Sequence, residues 1–410
     1  MRGGDGRGTG AMIAGRVALA LLLAAAPAAA APGEAPSAAA AALHERLLTL
    51  DTHLDTPAQL GRPGWRFTER HGYAEDLSQV DLPRMEEGGL DGGFFVIYTE
   101  QGPLTPAGYA AATAHAWQRV GQIKAMVAAA PDRLGLATGA AEVERIAASG
   151  RRVVLMSIEN SYPLGDSLDE LAQFAAVGVR MAGPVHNGDN QFADAASGGA
   201  RRHGGLSPLG RRWVAEMNRL GLLIDASHAS DEAFDQMLAL SRAPIILSHS
   251  GPKAAFDHPR NIDDARLQRL AAKGGVIFVN SIFLAPTDRS PERAALWTRR
   301  EAMDRLDPEA QRAVARDWAA LDARQPYNPA TFEQFMASLL HVLRLVGPDH
   351  VGIGADWDGG GGVQGMIDVA ALPRITAALR AAGYSDAAIA KVWSGNLLRV
   401  MRAAERARGR

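Results

Sequence analysis

Eight short apolar runs, separated by helical or loop patterns, constrain the fold of this chain more than any other feature. They are RLLTLD (46–51), GGFFVIY (92–98), RVVLMSIE (152–159), GVRMAGP (178–184), LLIDAS (222–227), PIILSH (244–249), GVIFVN (275–280) and HVGIGAD (350–356). Helical patterns between them cover residues 107–129, 167–176, 207–220, 230–240, 263–273 and 331–346. Strands alternating with helices indicate a parallel sheet, and eight such units predict an α/β fold of the (β/α)8 TIM-barrel type. A doubly wound open sheet is the alternative.

The sequence divides into four parts. Residues 1–31 combine Arg2, Arg7 and Arg16 with the apolar run VALALLLAAAPAAAA, which predicts a secretory signal peptide. An uncleaved anchor is the alternative, although the run is shorter than the roughly 20 apolar residues of a membrane span. We then expect an Ala-rich linker at 32–43, a barrel domain at 44–404 and a basic tail at 405–410. The stretch 283–329, between the seventh and eighth runs, is predicted to be a helical insertion.

Composition narrows the classes of function. With 47% hydrophobic residues, a net charge of -2 and no basic stripe beyond the tail, the chain does not resemble a nucleic-acid-binding protein. It contains no Cys, which excludes disulfides, thiolate metal sites and Cys nucleophiles. No C-terminal lipid anchor is signalled. We expect an exported protein, periplasmic or secreted, without a membrane anchor after signal cleavage.

Metal-binding side chains follow most of the predicted strands. In a parallel barrel the active site lies at the carboxyl ends of the strands. Only 11 His occur in 410 residues, and four of them stand at such ends. The candidate residues are His53, Asp55, Glu159, His186, His228, His249 and Asp356. This joint pattern predicts a metal site, whereas any one of these residues alone would be more typical of a structural hydrogen bond.

These side chains are too many for one tetrahedral ion, which typically takes about three protein ligands and a water. They suit two ions. Imidazole and carboxylate ligands without thiolate favour Zn(II), with Mn(II), Co(II) or Fe(II) also compatible. Two ions that share a bridging carboxylate can hold a hydroxide between them, so the predicted chemistry is hydrolysis.

Several ordered motifs resemble those of the membrane (renal) dipeptidase family, a family of binuclear zinc peptidases similar to the amidohydrolases. The motifs are DTHLDTP, SIEN, GVRMAGPVHNGDN, LLIDASHASDEAF, PIILSHSGPKAAFDHPRN, DHVGIGADWDGG and GYSDAAIAKVWSGNLLRVM. The resemblance extends from about Leu47 to Met401. It departs from the family at NSYPLG, after Glu159, where small residues are expected.

The resemblance implies a role for each candidate residue. His53 and Asp55 would hold one Zn(II), His228 and His249 the other, and Glu159 would bridge them. His186 would steady the substrate carbonyl, Arg260 would bind the terminal carboxylate of the substrate, and Asp356 would act as acid and base. The implied substrates are free dipeptides. The resemblance also suggests a homodimer.

Three alternatives stay open at the level of sequence. The same barrel could carry a related metal hydrolase, such as a lactonase or a deaminase. It could also be a binding protein that has lost catalysis, although all five implied ligands and Asp356 are present. Finally, Arg260 could pair with Asp263 or Asp264 instead of a substrate.

Overall fold

The computed structural model describes residues 37–409, together with Met1, Gly3 and Gly4. Apart from those three residues, the predicted signal peptide lies outside the described residues, as does the first part of the predicted linker. No helix within the described residues combines the length and the hydropathy of a membrane span.

Within the described residues, nine parallel strands form the centre of the molecule. They are β1 (Leu50–Leu54), β2 (Gly92–Tyr98), β3 (Leu134–Leu136), β4 (Arg152–Glu159), β5 (Val179–Ala182), β6 (Leu223–Ile224), β7 (Ile246–Ser250), β8 (Val276–Val279) and β9 (Val351–Ile353). Eight of them overlap the eight apolar runs of the sequence, although β1 shares only residues 50 and 51 with the first run. The additional strand, β3, was missed because it has three residues and none is β-branched.

Fifteen α-helices surround the strands among the described residues. They are α1 (Ala38–His44), α2 (Tyr73–Asp76), α3 (Leu82–Glu87), α4 (Pro106–Ala129), α5 (Ala140–Ala148), α6 (Asp169–Ala176), α7 (Pro208–Leu220), α8 (Asp231–Leu240), α9 (Asp264–Ala272), α10 (Pro291–Glu301), α11 (Pro308–Asp322), α12 (Phe332–Val346), α13 (Pro373–Ala381), α14 (Asp386–Ala390) and α15 (Asn396–Ala407). A π-helical turn, Lys391–Gly395, joins the last two. The six predicted helices are confirmed to within two residues at either end.

Side-chain caps explain why the predicted helix starts were accurate. Ser207, Ser230, Asp263 and Thr331 each precede a helix and accept a hydrogen bond from the backbone N–H three residues on. Such caps satisfy backbone donors that have no partner inside the helix. The caps therefore fix the starts of these four helices.

The strands form two parallel sheets. One has the order β1-β2-β4-β5-β6, with β3 paired to β4, and the other has the order β7-β8-β9. Strand β4 is buried from Val153 to Glu159, as expected for a parallel sheet covered on both faces. The imidazole rings of His53 in β1 and His249 in β7 lie 3.6 Å apart between centroids. The larger sheet is thus curled into a half-barrel, and its first strand approaches the smaller sheet.

Backbone bridges occur where the two sheets adjoin. A parallel bridge pairs Asp225, just after β6, with Ile246 of β7. At the other side, Leu54 of β1 pairs with Trp357, which follows β9. The two sheets therefore adjoin at two edges, through β6 and β7 and through β1 and the segment after β9.

Two predicted segment boundaries fall inside observed helices. Residues 38–43 of the predicted linker belong to α1, whose Ala40 and Leu43 are buried. At the other terminus, α15 continues to Ala407, into the predicted basic tail. The segment 283–329 contains α10 and α11. Their apolar side chains, Trp318 among them, form a separate small cluster with Leu77.

Candidate metal centre

The candidate residues of six strand ends converge at the carboxyl edge of the sheets. His53 lies in β1, Glu159 ends β4, and His249 lies in β7. The loops after β1, β5, β6 and β9 contribute Asp55, His186, His228 and Asp356. Three groups of these side chains have potential ligand atoms within 4.8 Å of one another: His53 with Glu159 and His249; Glu159 with His186 and His228; and His53 with Asp55 and Asp356. The structure thus brings all seven together.

The carboxylate of Glu159 lies at the middle of this cluster. Its Oε1 is 2.8 Å from Nε2 of His228 and 3.5 Å from Nε2 of His249. Its Oε2 faces the opposite side, 3.6 Å from Nε2 of His53. Oε1 therefore faces the imidazoles of His228 and His249, and Oε2 faces the imidazole of His53. A carboxylate that bridges two metal ions needs this arrangement.

The electrostatics of the cluster favour a cation at its centre. Although burial opposes the charged form, the neighbouring His53 and His186 hold the pKa of Glu159 well below its usual range. For His228 and His249, burial itself lowers the pKa far below normal, so these imidazoles are neutral. Neutral imidazole and ionised carboxylate are the forms that bind metal ions.

The pKa of His53 is shifted in the opposite direction, upward. Despite burial, the carboxylates of Asp55 and Glu159 raise the pKa of its imidazole well above normal. Nε2 of His53 lies 3.3 Å from Oδ2 of Asp55. Two carboxylates at this side of the cluster therefore stabilise a positive charge, which a divalent ion would supply in place of the proton.

Unpartnered nitrogens also fit a metal. Both ring nitrogens of His53 and Nδ1 of His228 are buried without a hydrogen-bond partner in the described part of the chain. Nε2 of His228 lies 2.8 Å from Nε2 of His249, so two buried ring nitrogens face each other. Buried polar atoms normally have partners. The donor set, imidazoles and carboxylates without thiolates, suits Zn(II) or a similar first-row ion.

Asp356 lies beside the cluster in a left-handed backbone conformation, with φ of 67°. Asp tolerates this conformation better than most residues. Burial raises the pKa of its carboxyl to about 7, with the positive charge of His53 opposing this and Asp55 adding to it. A carboxyl with this pKa can both take up and release a proton near neutral pH.

The run GGGG at 359–362 follows Asp356 and forms a tight turn. The N–H of Gly361 donates to the Asp356 carbonyl at 2.8 Å, and the N–H of Gly362 donates to Ser281 Oγ at 2.7 Å. A Cβ at Gly359 would lie 2.1 Å from Oδ2 of Asp55 and 2.3 Å from Oδ1 of Asp356. Glycine is needed here because the carboxylates of two candidate residues approach the backbone.

We expect Gly359→Ala to lower kcat/KM by about a hundredfold, since the added methyl must displace at least one of the two carboxylates, and a shift of about 1 Å can cost that much. Gly121→Ala is the matched control, because Gly121 lies in α4 with no atom within 4 Å of an added Cβ. It should keep full activity and gain about 0.5–1 kcal/mol of stability. Steady-state kinetics on both variants measure this, and equal activities would show that Gly359 does not shape the centre.

His186 lies at the edge of the cluster, and its neighbour Tyr98 was not predicted. Nε2 of His186 is 3.9 Å from Oε1 of Glu159, and its side chain keeps 22% exposure. The ring of Tyr98 packs edge-on against it, with centroids 4.9 Å apart. Burial and the negative charge of Glu159 strongly raise the pKa of Tyr98. Tyr98 ends the second β-run, so a search of strand ends for aromatic as well as charged residues would have found it.

Arg260 is buried, with only 3% of its surface exposed. Its Nη2 donates to the His249 carbonyl at 3.4 Å, whereas Nε and Nη1 are buried without partners among the described residues. Burial lowers its pKa to about 10, with the Asp356 carboxylate opposing this, so the guanidinium is charged at neutral pH.

The alternative partners of Arg260 are engaged elsewhere. Asp263 pairs with Arg266, and Asp264 lies 2.9 Å from Nε2 of His341. No carboxylate lies within 4 Å of the Arg260 guanidinium in the part of the chain that the structure describes. A buried charge of this kind requires an anionic partner.

Two further buried residues support the site. Oδ1 of Asp51 accepts from the His53 N–H at 2.8 Å, and Oδ2 accepts from the Ala355 N–H at 3.1 Å, which ties β1 to the segment after β9. Asn160, at φ of 66°, turns the chain directly after Glu159. Its Nδ2 donates to the Thr99 carbonyl at 3.1 Å. The unexpected NSYPLG motif thus begins with a residue that positions the end of β4.

Known proteins match the chain along most of its length. The sequence model of the membrane dipeptidase family, peptidase family M19, matches residues 37–410. Dipeptidase tcpJ of Claviceps purpurea is 32% identical over 347 residues, covering 83% of this chain and 73% of the relative.

Solved structures agree with the sequence relatives. The crystal structure of the probable dipeptidase PvdM from Pseudomonas aeruginosa has a TM-score of 0.77 and 32% identity, covering 90% of this chain and 98% of the other. A metallopeptidase from Rhodobacter sphaeroides, bound to a phosphinate mimic of the dipeptide L-Ala-D-Ala, has a TM-score of 0.68 and 27% identity, covering 87% and 99%. The chain therefore belongs to the membrane dipeptidase family, peptidase family M19.

Proposed function

We propose that the chain is a dizinc dipeptidase that hydrolyses the peptide bond of free dipeptides. The observation that carries the proposal is the Glu159 carboxylate, whose two oxygens face different histidines, Oε1 at 2.8 Å from His228 and Oε2 at 3.6 Å from His53. Membership of a dipeptidase family supports the reaction. The imidazole and carboxylate donors support zinc, with manganese, cobalt and iron as alternatives.

The ligand assignment follows the two sides of Glu159. His53 and Asp55 would hold one ion, His228 and His249 the other, and Glu159 would contact both. When bound, two divalent ions supply a nucleophilic water at neutral pH and polarise the substrate carbonyl. His186 lies beside the Oε1 side, where its imidazole can donate to the oxygen on which charge develops during attack.

Two buried side chains would bind the substrate and transfer the proton: Arg260 and Asp356. The unpartnered guanidinium of Arg260 can form paired hydrogen bonds with the carboxylate at the C-terminal end of a dipeptide. Asp356, whose pKa is raised to about 7 by burial, can take a proton and pass it to the leaving amine. Together they hold the substrate by its free end and complete the cleavage.

We also infer that the two sheets form a closed (β/α)8 barrel. The bridges between Asp225 and Ile246 and between Leu54 and Trp357 support closure, since each lies between adjoining edges of the two sheets. The segment 283–329 would be a helical insertion that forms a wall of the site. Its Arg300 Nη2 donates to the Asp358 carbonyl at 2.7 Å, in the loop that carries Asp356.

A panel of substrates tests the proposed reaction. We expect hydrolysis of dipeptides with a free carboxylate, L-Ala-D-Ala among them, little hydrolysis of their C-terminal amides, and none of simple lactones. Faster turnover of lactones than of every dipeptide in the panel would refute the proposal and favour the related metal hydrolases.

Asp356→Asn is expected to lower kcat by roughly 10²–10⁴ with substrate binding retained, because the amide cannot take up or release the proton. The metal content of the purified variant is the control. If kcat stays near that of the wild type, Asp356 has no part in proton transfer. If the variant loses metal, Asp356 is a ligand, as its proximity to His53 and Asp55 also permits.

The predicted signal peptide leads us to propose export to the periplasm or medium. The family resemblance leads us to propose a homodimer. The mature chain is expected to begin close to Ala31, because small residues suited to cleavage stand there. Mass spectrometry of the protein from a periplasmic fraction measures its N-terminus. A full-length chain confined to the membrane fraction would contradict this and favour the uncleaved anchor.

A further inference from the structure

A buried carboxylate outside the proposed ligand set lies behind two of the histidines. Asp225 follows β6 and is 6% exposed. Its Oδ1 accepts from Ser227 Oγ at 2.6 Å and from the Ser248 backbone N–H at 2.9 Å. Its Oδ2 accepts from Ser248 Oγ at 2.6 Å. Asp225 thus accepts hydrogen bonds from two serines. Ser227 precedes the candidate ligand His228, and Ser248 precedes the candidate ligand His249.

Ser248 connects this carboxylate to an imidazole. Its Oγ lies 2.6 Å from Oδ2 of Asp225 and 2.8 Å from Nδ1 of His249. A hydroxyl has one hydrogen, and a carboxylate only accepts. The Ser248 hydrogen therefore points to Asp225, and the Ser248 oxygen must accept from the Nδ1–H of His249.

The proton on Nδ1 determines the state of the other ring nitrogen. Nε2 of a neutral His249 then carries a free lone pair, which faces His228 Nε2 at 2.8 Å and Glu159 Oε1 at 3.5 Å. The other two histidines of the proposed ligand set lack such support, because Nδ1 of His53 and of His228 has no partner among the described residues.

We propose that Asp225 and Ser248 are positioning residues that fix the tautomer and the orientation of His249, so that its Nε2 faces the metal centre before any ion binds. The consequence for metal affinity rests on the proposed function, whereas the tautomer does not. Loss of a hydrogen bond that orients a metal-binding histidine typically weakens metal affinity by about 10–100-fold. We expect this loss for Ser248→Ala.

Ser227 provides a matched control. Its hydroxyl also donates to Asp225, at 2.6 Å, but it accepts from the backbone N–H of His249, at 3.1 Å, and makes no hydrogen bond to the ring. Ser227→Ala removes a buried hydroxyl of the same size and leaves the Ser248 bridge. A structural role alone would give similar effects in both variants.

The first test reads the tautomer directly. In metal-free wild-type protein with ¹⁵N-labelled histidine, NMR should show His249 protonated on Nδ1, and Ser248→Ala should produce a mixture of the two tautomers. Protonation of His249 on Nε2 in the wild type would overturn the proposal, whether or not the variant folds.

The second test measures zinc affinity by competition with a chromophoric chelator. Ser248→Ala should lose about 10–100-fold in affinity at one site and Ser227→Ala only a few-fold, with the unfolding midpoints of the metal-free proteins compared as a check on folding. Equal losses, or none in Ser248→Ala, would overturn the positioning role. If the wild type binds no zinc, the proposed metal centre fails, and the NMR result still decides the tautomer.

Discussion

Glu159→Gln is expected to lower kcat by at least about 10³-fold and to weaken zinc binding at both sites. The side chain keeps its size, but one of its oxygens becomes an amide nitrogen, which donates hydrogen bonds and does not bind cations. In the wild type the two oxygens face opposite sides, His228 at 2.8 Å and His53 at 3.6 Å. Metal ions supply several kcal/mol to such reactions, and each 1.4 kcal/mol or so is tenfold in rate.

Elemental analysis of the purified variant, beside its kinetics, measures this effect. Glu309→Gln is a suitable control, because Glu309 is exposed on α11 and pairs with surface arginines. It should keep the metal content and the activity of the wild type. A Glu159→Gln variant with two ions and normal turnover would show that this carboxylate does not bridge.

Arg260→Ala is expected to lower kcat/KM for a dipeptide by tens- to thousands-fold. Arg260 is 3% exposed, and its Nε and Nη1 have no partner in the described structure. The loss of a desolvated, hydrogen-bonded charge pair costs about 2–5 kcal/mol. The same variant should barely change the already slow hydrolysis of the dipeptide amide, because the amide has no carboxylate to lose.

The comparison of acid with amide separates substrate binding from structure. Arg266→Ala is the control, since Arg266 pairs with Asp231, Asp235 and Asp263 on the surface and not with the site. It should leave the preference for a free carboxylate intact. Equal losses on acid and amide in Arg260→Ala would mean that Arg260 supports the fold, and another residue would have to provide the preference.

Sequence patterns were reliable where one local rule determined the structure. Helix starts are determined locally, because capping side chains such as Ser207 and Thr331 each accept from a backbone N–H. Strand positions followed from apolar runs, because parallel strands are buried on both faces. The convergence of His53, Glu159 and His249 followed from one rule of topology, that parallel strands end at the same edge.

Features that depend on contacts between residues far apart in the sequence could not be predicted from local patterns. The space beside Gly359 is filled by the distant Asp55. Similarly, Asp225 is connected to the His249 ring only through hydrogen bonds to Ser248. Nothing in the local sequence distinguishes Asp225 from an ordinary polar residue after a strand. Strand β3 was missed for another reason, since three residues carry too little pattern.

We propose that two metal ions, held around Glu159, are needed for cleavage of dipeptides. The turnover of a dipeptide by chelator-treated, metal-free protein during titration with Zn(II) measures this need. We expect no turnover without metal and a plateau at two equivalents per chain. Full turnover by protein shown to be metal-free, or a plateau at one equivalent, would contradict the proposal.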